Sequence, residues 1–125
     1  MPIRWEAHHP EKLLLVTGEG TVTLKEVEVY LDEIVTAGAM PYGKLFDATK
    51  VDPKYDDHDI MMLGARMSAY RTTLKGGPLA FVVTGGPTYE AIQRYINLTP
   101  AERAVAVFMT VPEARAWLDA QPRSA

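Results

Sequence analysis

The sequence contains no cysteine, and this absence excludes several kinds of chemistry together. Without thiols the chain has no disulfides, no thiolate metal ligands and no cysteine nucleophile. Long apolar runs are also missing, since stretches such as 13–16 and 79–83 are far shorter than the roughly 20 residues that span a bilayer. The N-terminal segment lacks the apolar core of a secretory signal. We therefore expect a cytoplasmic protein that does not insert into membranes.

Clusters of basic residues are absent as well. No two lysines or arginines are adjacent, the net charge is −3 and the pI is about 5.6. Modules that bind nucleic acids usually carry a basic patch and a high pI, so nucleic acid is not an expected partner. The 125 residues have ordinary globular composition, with 47% hydrophobic and 23% charged residues. This predicts one domain over 1–125 with one core and a frayed tail at 121–125.

Apolar runs alternate with amphipathic segments along the chain. The runs that read as buried strands are 13–17, 44–49, 79–84 and 104–109. Capping patterns and apolar spacing predict helices that begin near Thr23, Asp57, Pro87 and Thr110, the second of them ending at Leu74. The segment Ile3–Glu6 is either a short additional strand or an ordered arm. This order predicts an α/β fold, with a mixed and mostly parallel sheet of about five strands covered by about four helices.

Two short segments are predicted to connect these elements without being part of the sheet. The glycine-containing stretch 18–20 is expected to be a turn between the first long strand and its helix. The polar stretch 51–55 is expected to be a loop, and Thr99–Glu102 a further helical turn.

The order of elements resembles the SpoIIAA-like members of the STAS family, the fold of anti-sigma-factor antagonists. The segments that carry the resemblance are 13–20 before the helix at Thr23, Leu45–Ala48, 79–84 and 107–118. It extends over nearly the whole chain and implies a non-enzymatic regulatory module that contacts a protein partner. Family members that act as phosphorylation switches carry a Ser where this chain has Asp56-Asp57-His58-Asp59. The resemblance therefore does not carry over the switch. The acids read as helix caps, with a permanently phospho-like charge as the alternative.

The second predicted helix carries more apolar residues than one buried face needs. A core face takes residues three or four apart, which leaves Met61 and Met62 over. Gly64 and Ala65 permit close approach of another backbone, and Met adapts well to binding surfaces. The helix is either deeply buried or a contact face for a protein partner or a second copy in a homodimer. The resemblance implies the same contact helix. The predicted partner-binding residues are Asp57, His58, Met61, Met62, Ala65 and Arg66.

A small-molecule binding domain, for a lipid or an anionic ligand, is the alternative function. Gly85 and Gly86 precede a helix, where backbone N–H groups can hold an anion, and Asp47 ends a neighbouring strand. These three are the predicted ligand-binding residues, although a tight turn also explains the glycines. The direction of Met61 and Met62 discriminates the two functions. Outward side chains favour a partner, and inward side chains around a void favour a ligand.

An acid–base enzyme that uses Asp47, Asp57 and His58 is a weaker alternative. No nucleophile motif accompanies these residues, so we expect no enzymatic activity. Adjacent residues on a helix point in different directions, so the acidic segment predicts neither a metal site nor a cofactor.

Overall fold

The computed structural model describes residues 2–53, 56–71, 76–98 and 104–121. Within them the strands are β1 (Ile3–His8), β2 (Leu13–Val22), β3 (Gly43–Pro53), β4 (Leu79–Val82) and β5 (Val105–Phe108). The helices are α1 (Leu24–Thr36), α2 (Asp57–Arg71), α3 (Gly86–Leu98) and α4 (Val111–Asp119). This confirms the predicted α/β fold. The predicted end of α2 at Leu74, the predicted turn at Thr99–Glu102 and most of the predicted frayed tail lie outside the described residues.

The strands form one mixed sheet in the order β1-β2-β3-β4-β5. β1 runs antiparallel to β2, with Ile3 opposite Gly18 and His8 opposite Leu13. Each of the other neighbouring pairs is parallel, because a helix returns the chain to the starting edge between consecutive strands. The N-terminal segment is therefore a strand, and it continues to His8 beyond the predicted range.

The two sides of the sheet are covered unequally. Side chains alternate along each strand, so Leu14 and Val16 pack with α1 and with Met67 of α2, while Leu13 packs with α4. Ile92 of α3 contacts the same side of the sheet as α1 and α2. Three helices thus cover one side, and the short helix α4 covers part of the other. Among the described residues, no helix combines the length and apolar character needed to cross a membrane.

The predicted turn at 18–20 and the loop expected to begin at residue 51 are wrong, because both segments belong to the sheet. Glu19 to Val22 pair in parallel with Lys50 to Pro53 after a register shift. A Cβ at Gly18 would lie 2.6 Å from Cγ2 of Val51, so the glycine permits close approach of the two strands. Pairing of this kind depends on backbone groups, which the polarity of the side chains does not reveal.

Candidate functional site

The acidic segment before α2 caps the helix. Asp59 N donates to Asp56 Oδ1 at 2.9 Å, and Asp56 N donates to Asp59 Oδ2 at 3.2 Å. This reciprocal pair satisfies N–H groups that the first turn of a helix leaves without intrahelical partners. The predicted capping role is confirmed for these two carboxylates.

The two aspartates of the acid–base hypothesis form hydrogen bonds with different parts of the protein. Asp57 Oδ1 accepts a hydrogen bond from Arg94 Nη1 of α3 at 2.8 Å. Asp47 Oδ1 accepts hydrogen bonds from Thr49 N at 3.0 Å and from Thr49 Oγ1 at 2.7 Å, and His58 is exposed. Over the described ranges, no group of three or more His, Asp or Glu side chains is placed to hold a metal ion.

Asp47, Gly85 and Gly86 lie near the same end of adjacent strands. Asp47 is opposite Val82 in the β3–β4 ladder, shortly before the two glycines. Gly85 and Gly86 are exposed and have φ angles of 122° and 74°, which favour glycine. The left-handed backbone accounts for the glycine residues at this turn, and their predicted role in ligand binding stays a prediction.

Met61 and Met62 point away from the core. They are 61% and 50% exposed, and His58, Ala65 and Ala69 are exposed within one or two turns of them. Residues three or four apart share a helix surface, so these five residues form a continuous strip, called here the outer face of α2. By the criterion set from the sequence, the outward direction of both methionines favours a protein partner.

Arg66 connects α2 to α1 beside the outer face. Arg66 Nη1 lies 3.1 Å from Glu28 Oε2, and Nη2 lies 2.7 Å from Asp32 Oδ1. Tyr70 OH donates to the same Asp32 oxygen at 2.7 Å and accepts from Arg66 Nε at 3.1 Å. The guanidinium also lies 5.7 Å from the centre of the Tyr70 ring, within the range of a cation–π contact. Four side chains therefore fix the relative position of two helices.

This network shifts the protonation equilibria of its members. The hydrogen bond from Tyr70, followed by that from Arg66, lowers the pKa of Asp32 below its ordinary value. The bond to Asp32 raises the pKa of Arg66. Desolvation, followed by the bond to Asp32, raises the pKa of Tyr70. The network thus favours the charged forms of Asp32 and Arg66 and the neutral form of Tyr70.

Arg66 was predicted from the sequence to bind a partner, whereas its network with Glu28, Asp32 and Tyr70 was not predicted. A usable signal was present, because Glu28 and Asp32 are four residues apart on α1 and Arg66 and Tyr70 are four apart on α2. The side chain of Arg66 is 33% exposed, so it borders the outer face while it contacts α1. Its part in partner binding stays a prediction.

An apolar cavity of about 110 Å³ lies on the opposite side of α2. Ile60, Leu63 and Met67 of α2 line it, together with side chains from the sheet and from α1 and α3. Lys44 also lines it and is only 2% exposed. Lys44 Nζ donates to the carbonyl oxygens of Met40 at 2.6 Å and of Tyr42 at 2.9 Å. Neither the cavity nor the burial of Lys44 was predicted.

Comparison with solved structures gives the fold. An uncharacterised protein of the DUF3478 family from Shewanella loihica PV-4, with a SpoIIAA-like fold, is similar over 93% of this chain and 91% of its own, with a TM-score of 0.59 and 21% identity. The anti-sigma factor antagonist SpoIIAA in its unphosphorylated form is similar over 95% of this chain and 99% of its own, with a TM-score of 0.58 and 11% identity. No family model and no curated protein matches the sequence. The chain therefore has a SpoIIAA-like fold, as the resemblance implied.

Proposed function

We propose that this protein is a non-enzymatic protein-interaction module and that the outer face of α2 is its contact surface. The exposure of Met61 and Met62 side by side carries the proposal, because clustered apolar side chains on a surface mark sites of association. Methionine is also enriched at the centre of protein interfaces. The SpoIIAA-like fold supports the same class of function, since SpoIIAA itself is an anti-sigma factor antagonist.

The contacts around α2 support a preorganised surface. Arg66 joins α2 to α1, and Asp57 joins it to Arg94 of α3, while Asp56 and Asp59 cap its first turn. A surface held in place in this way loses little conformational entropy on binding. A serine switch at the start of α2 is not part of the proposal, because no Ser or Thr is present at residues 56–59.

A second copy of the chain is the partner that we propose. Two α2 helices that pack antiparallel about a two-fold axis near Met62 would bring the methionines of both copies together. The same arrangement would place His58 of one copy near Arg66 of the other, because each lies four residues from Met62. Ala65 and Ala69 are small enough for close approach of the helices.

A cytoplasmic location remains the prediction made from the sequence.

The test replaces both methionines by glutamate and measures the mass of the assembly. We expect a dimer for the unaltered protein by sedimentation and native mass spectrometry. The double variant Met61→Glu/Met62→Glu should be a monomer. Four carboxylates brought together in the two-fold contact should weaken the dimer roughly 100-fold or more, since like charges at an interface cost several kcal/mol.

Met109→Glu is the matched control, because Met109 is also an exposed methionine, at 66%, and follows β5 outside α2. This variant should remain a dimer, and all the proteins should keep the same circular dichroism spectrum. An unaltered protein that stays monomeric to high micromolar concentration would contradict self-association. A double variant that keeps the dimer mass would contradict the assignment to α2.

A further inference from the structure

The proposed contact surface leaves the cavity behind α2 without a role. Its volume of about 110 Å³ is large for a protein core, where voids larger than a water molecule are few. Three helices and the central strands line it. Its walls include Phe46, Phe81, Ile60, Leu63, Met40 and Met67.

Aromatic rings form one wall of the cavity. The Phe46 and Phe81 ring centres are 5.8 Å apart and tilted by 44°, and Tyr30 meets Phe46 edge-on at 6.0 Å. Phe46 and Phe81 lie on the inner strands β3 and β4 beneath the helices, yet both are only partly buried. Their rings thus offer apolar surface to the cavity, and such surface suits offset or edge-on contact with another ring.

Polar groups on the wall already have partners within the protein. Lys44 Nζ donates to the carbonyl oxygens of Met40 and Tyr42, and Thr88 Oγ1 donates to Val51 O at 2.8 Å. A charged ligand would lose its hydration and would have to compete for these groups, which is costly in an apolar site. Ordered water also needs two to four polar partners. These polar groups are thus already engaged, and the remaining, apolar part of the lining favours an uncharged apolar occupant.

We propose that this cavity binds a small uncharged apolar molecule of about the size of a single aromatic ring. Protein cavities of roughly 150 Å³ lined by Leu, Ile and Phe stay dry and bind benzene or xenon. The present cavity is somewhat smaller, and it has similar walls with an aromatic side. Bulkier ligands such as a lipid chain exceed its volume. The binding site lies on the inner side of α2 and does not depend on the contact surface proposed for the outer face.

The test is a titration with benzene, followed through the ¹³C-labelled methyl groups of methionine by NMR. Met40 and Met67 line the cavity, whereas Met61, Met62 and Met109 are exposed. We expect saturable shifts at Met40 and Met67, with the three exposed methyl groups unchanged. No shift at Met40 and Met67 in benzene-saturated buffer would overturn the proposal. Equal shifts at exposed and buried methyl groups would also overturn it, because they indicate unspecific surface binding.

Filling the cavity should abolish the binding. Ala91 lines the cavity from α3 and Ala48 lines it from β3, so Ala91→Leu and Ala48→Val place extra carbon atoms in the void. Each variant that folds, as judged by circular dichroism, should bind benzene at least about tenfold more weakly, since each lost methylene contact is worth close to 0.8 kcal/mol. Unchanged binding in both variants would overturn the proposal. Met61→Glu/Met62→Glu should bind benzene normally, which separates the two proposals.

Discussion

The substitution Gly77→Ala tests how the buried Lys44 side chain is held in place. Gly77 N donates to Met40 O at 3.1 Å, the same oxygen that accepts from Lys44 Nζ. A Cβ at residue 77 would lie 2.3 Å from the carbonyl oxygens of both Pro41 and Tyr42. Both obstacles are backbone atoms, so Gly77→Ala must displace the chain that carries the acceptors of Lys44.

The size of the effect follows from the bonds that the displacement disturbs. Ordinary contact with a Cβ begins at 3.4 Å, so the carbonyls must retreat by about 1 Å, which is enough to break a hydrogen bond. A bond to a charged group contributes roughly 1.5–3 kcal/mol and an amide bond roughly 0.5–1.5 kcal/mol. Reduced freedom of the unfolded chain offsets about 0.4–1 kcal/mol. We expect Gly77→Ala to lower the free energy of unfolding by roughly 2–4 kcal/mol and Tm by roughly 8–16 °C.

Urea denaturation followed by circular dichroism measures this change, with an unchanged slope showing that the transition is comparable. Gly38→Ala is the control, because Gly38 has a φ of 72° and open space around its Cβ position. It should cost only the left-handed strain, a net value of about 1 kcal/mol. In a Lys44→Met background, Gly77→Ala should cost less by roughly 1–2 kcal/mol, because the bonds to the ammonium group are already absent. Additive costs, or a Gly77→Ala protein as stable as Gly38→Ala, would refute this account of Lys44.

Two further predictions concern the Asp32 network that joins α1 to α2 and the capping of α2 by Asp56. The pKa of Asp32 is held below its ordinary value of 3.8, chiefly by Tyr70 and then by Arg66. The unfolded chain therefore binds more protons in this range. Stability contributed by the network should be complete above about pH 4 and be lost as the pH falls through the lowered pKa. Urea denaturation at a series of pH values measures this loss as a fall in the free energy of unfolding. Asp32→Asn should make that fall smaller, and a fall of the same size as in the unaltered protein would contradict the prediction. Asp56→Ala should lower the free energy of unfolding by about 1 kcal/mol through loss of the cap, while Asp56→Asn should retain most of the stability. An Asp56→Ala protein as stable as the unaltered one would show that the cap contributes nothing.

The sequence predicts the sheet well where side-chain pattern and strand coincide. The run from Leu13 to Val16 is apolar on consecutive positions because Leu13 faces α4 and Leu14 faces α1, so burial on both sides shows directly in the composition. The extension from Glu19 to Val22 shows no such pattern. Glu19 to Thr21 are exposed and only Val22 is buried, so the segment carries too few apolar residues to indicate a strand, and a turn was expected there.

Some features of the candidate site could likewise be inferred from the sequence, and others could not. The sequence identified Met61 and Met62 as residues outside the core-facing stripe of α2, but it left open whether they point outward or inward, which the structure answers. The Arg66 network depends on the distance between α1 and α2, and the cavity depends on how three helices settle over Phe46 and Phe81. Distances between helices are a property of tertiary packing. The spacing of apolar residues along one segment gives no information about these distances.

The apolar character of α2 on both sides connects these observations. Ile60, Leu63 and Met67 face the cavity, whereas Met61 and Met62 face outward. A helix with apolar side chains on two opposite sides normally buries both of them, and in this protein the sheet covers the inner side only. The proposed dimer would cover the outer side, and the incompletely filled inner side has room for a small apolar molecule. Two different sets of substitutions therefore test the outer and the inner side of α2 separately. Glutamate at Met61 and Met62 should remove the dimer and spare benzene binding, and leucine at Ala91 should do the reverse.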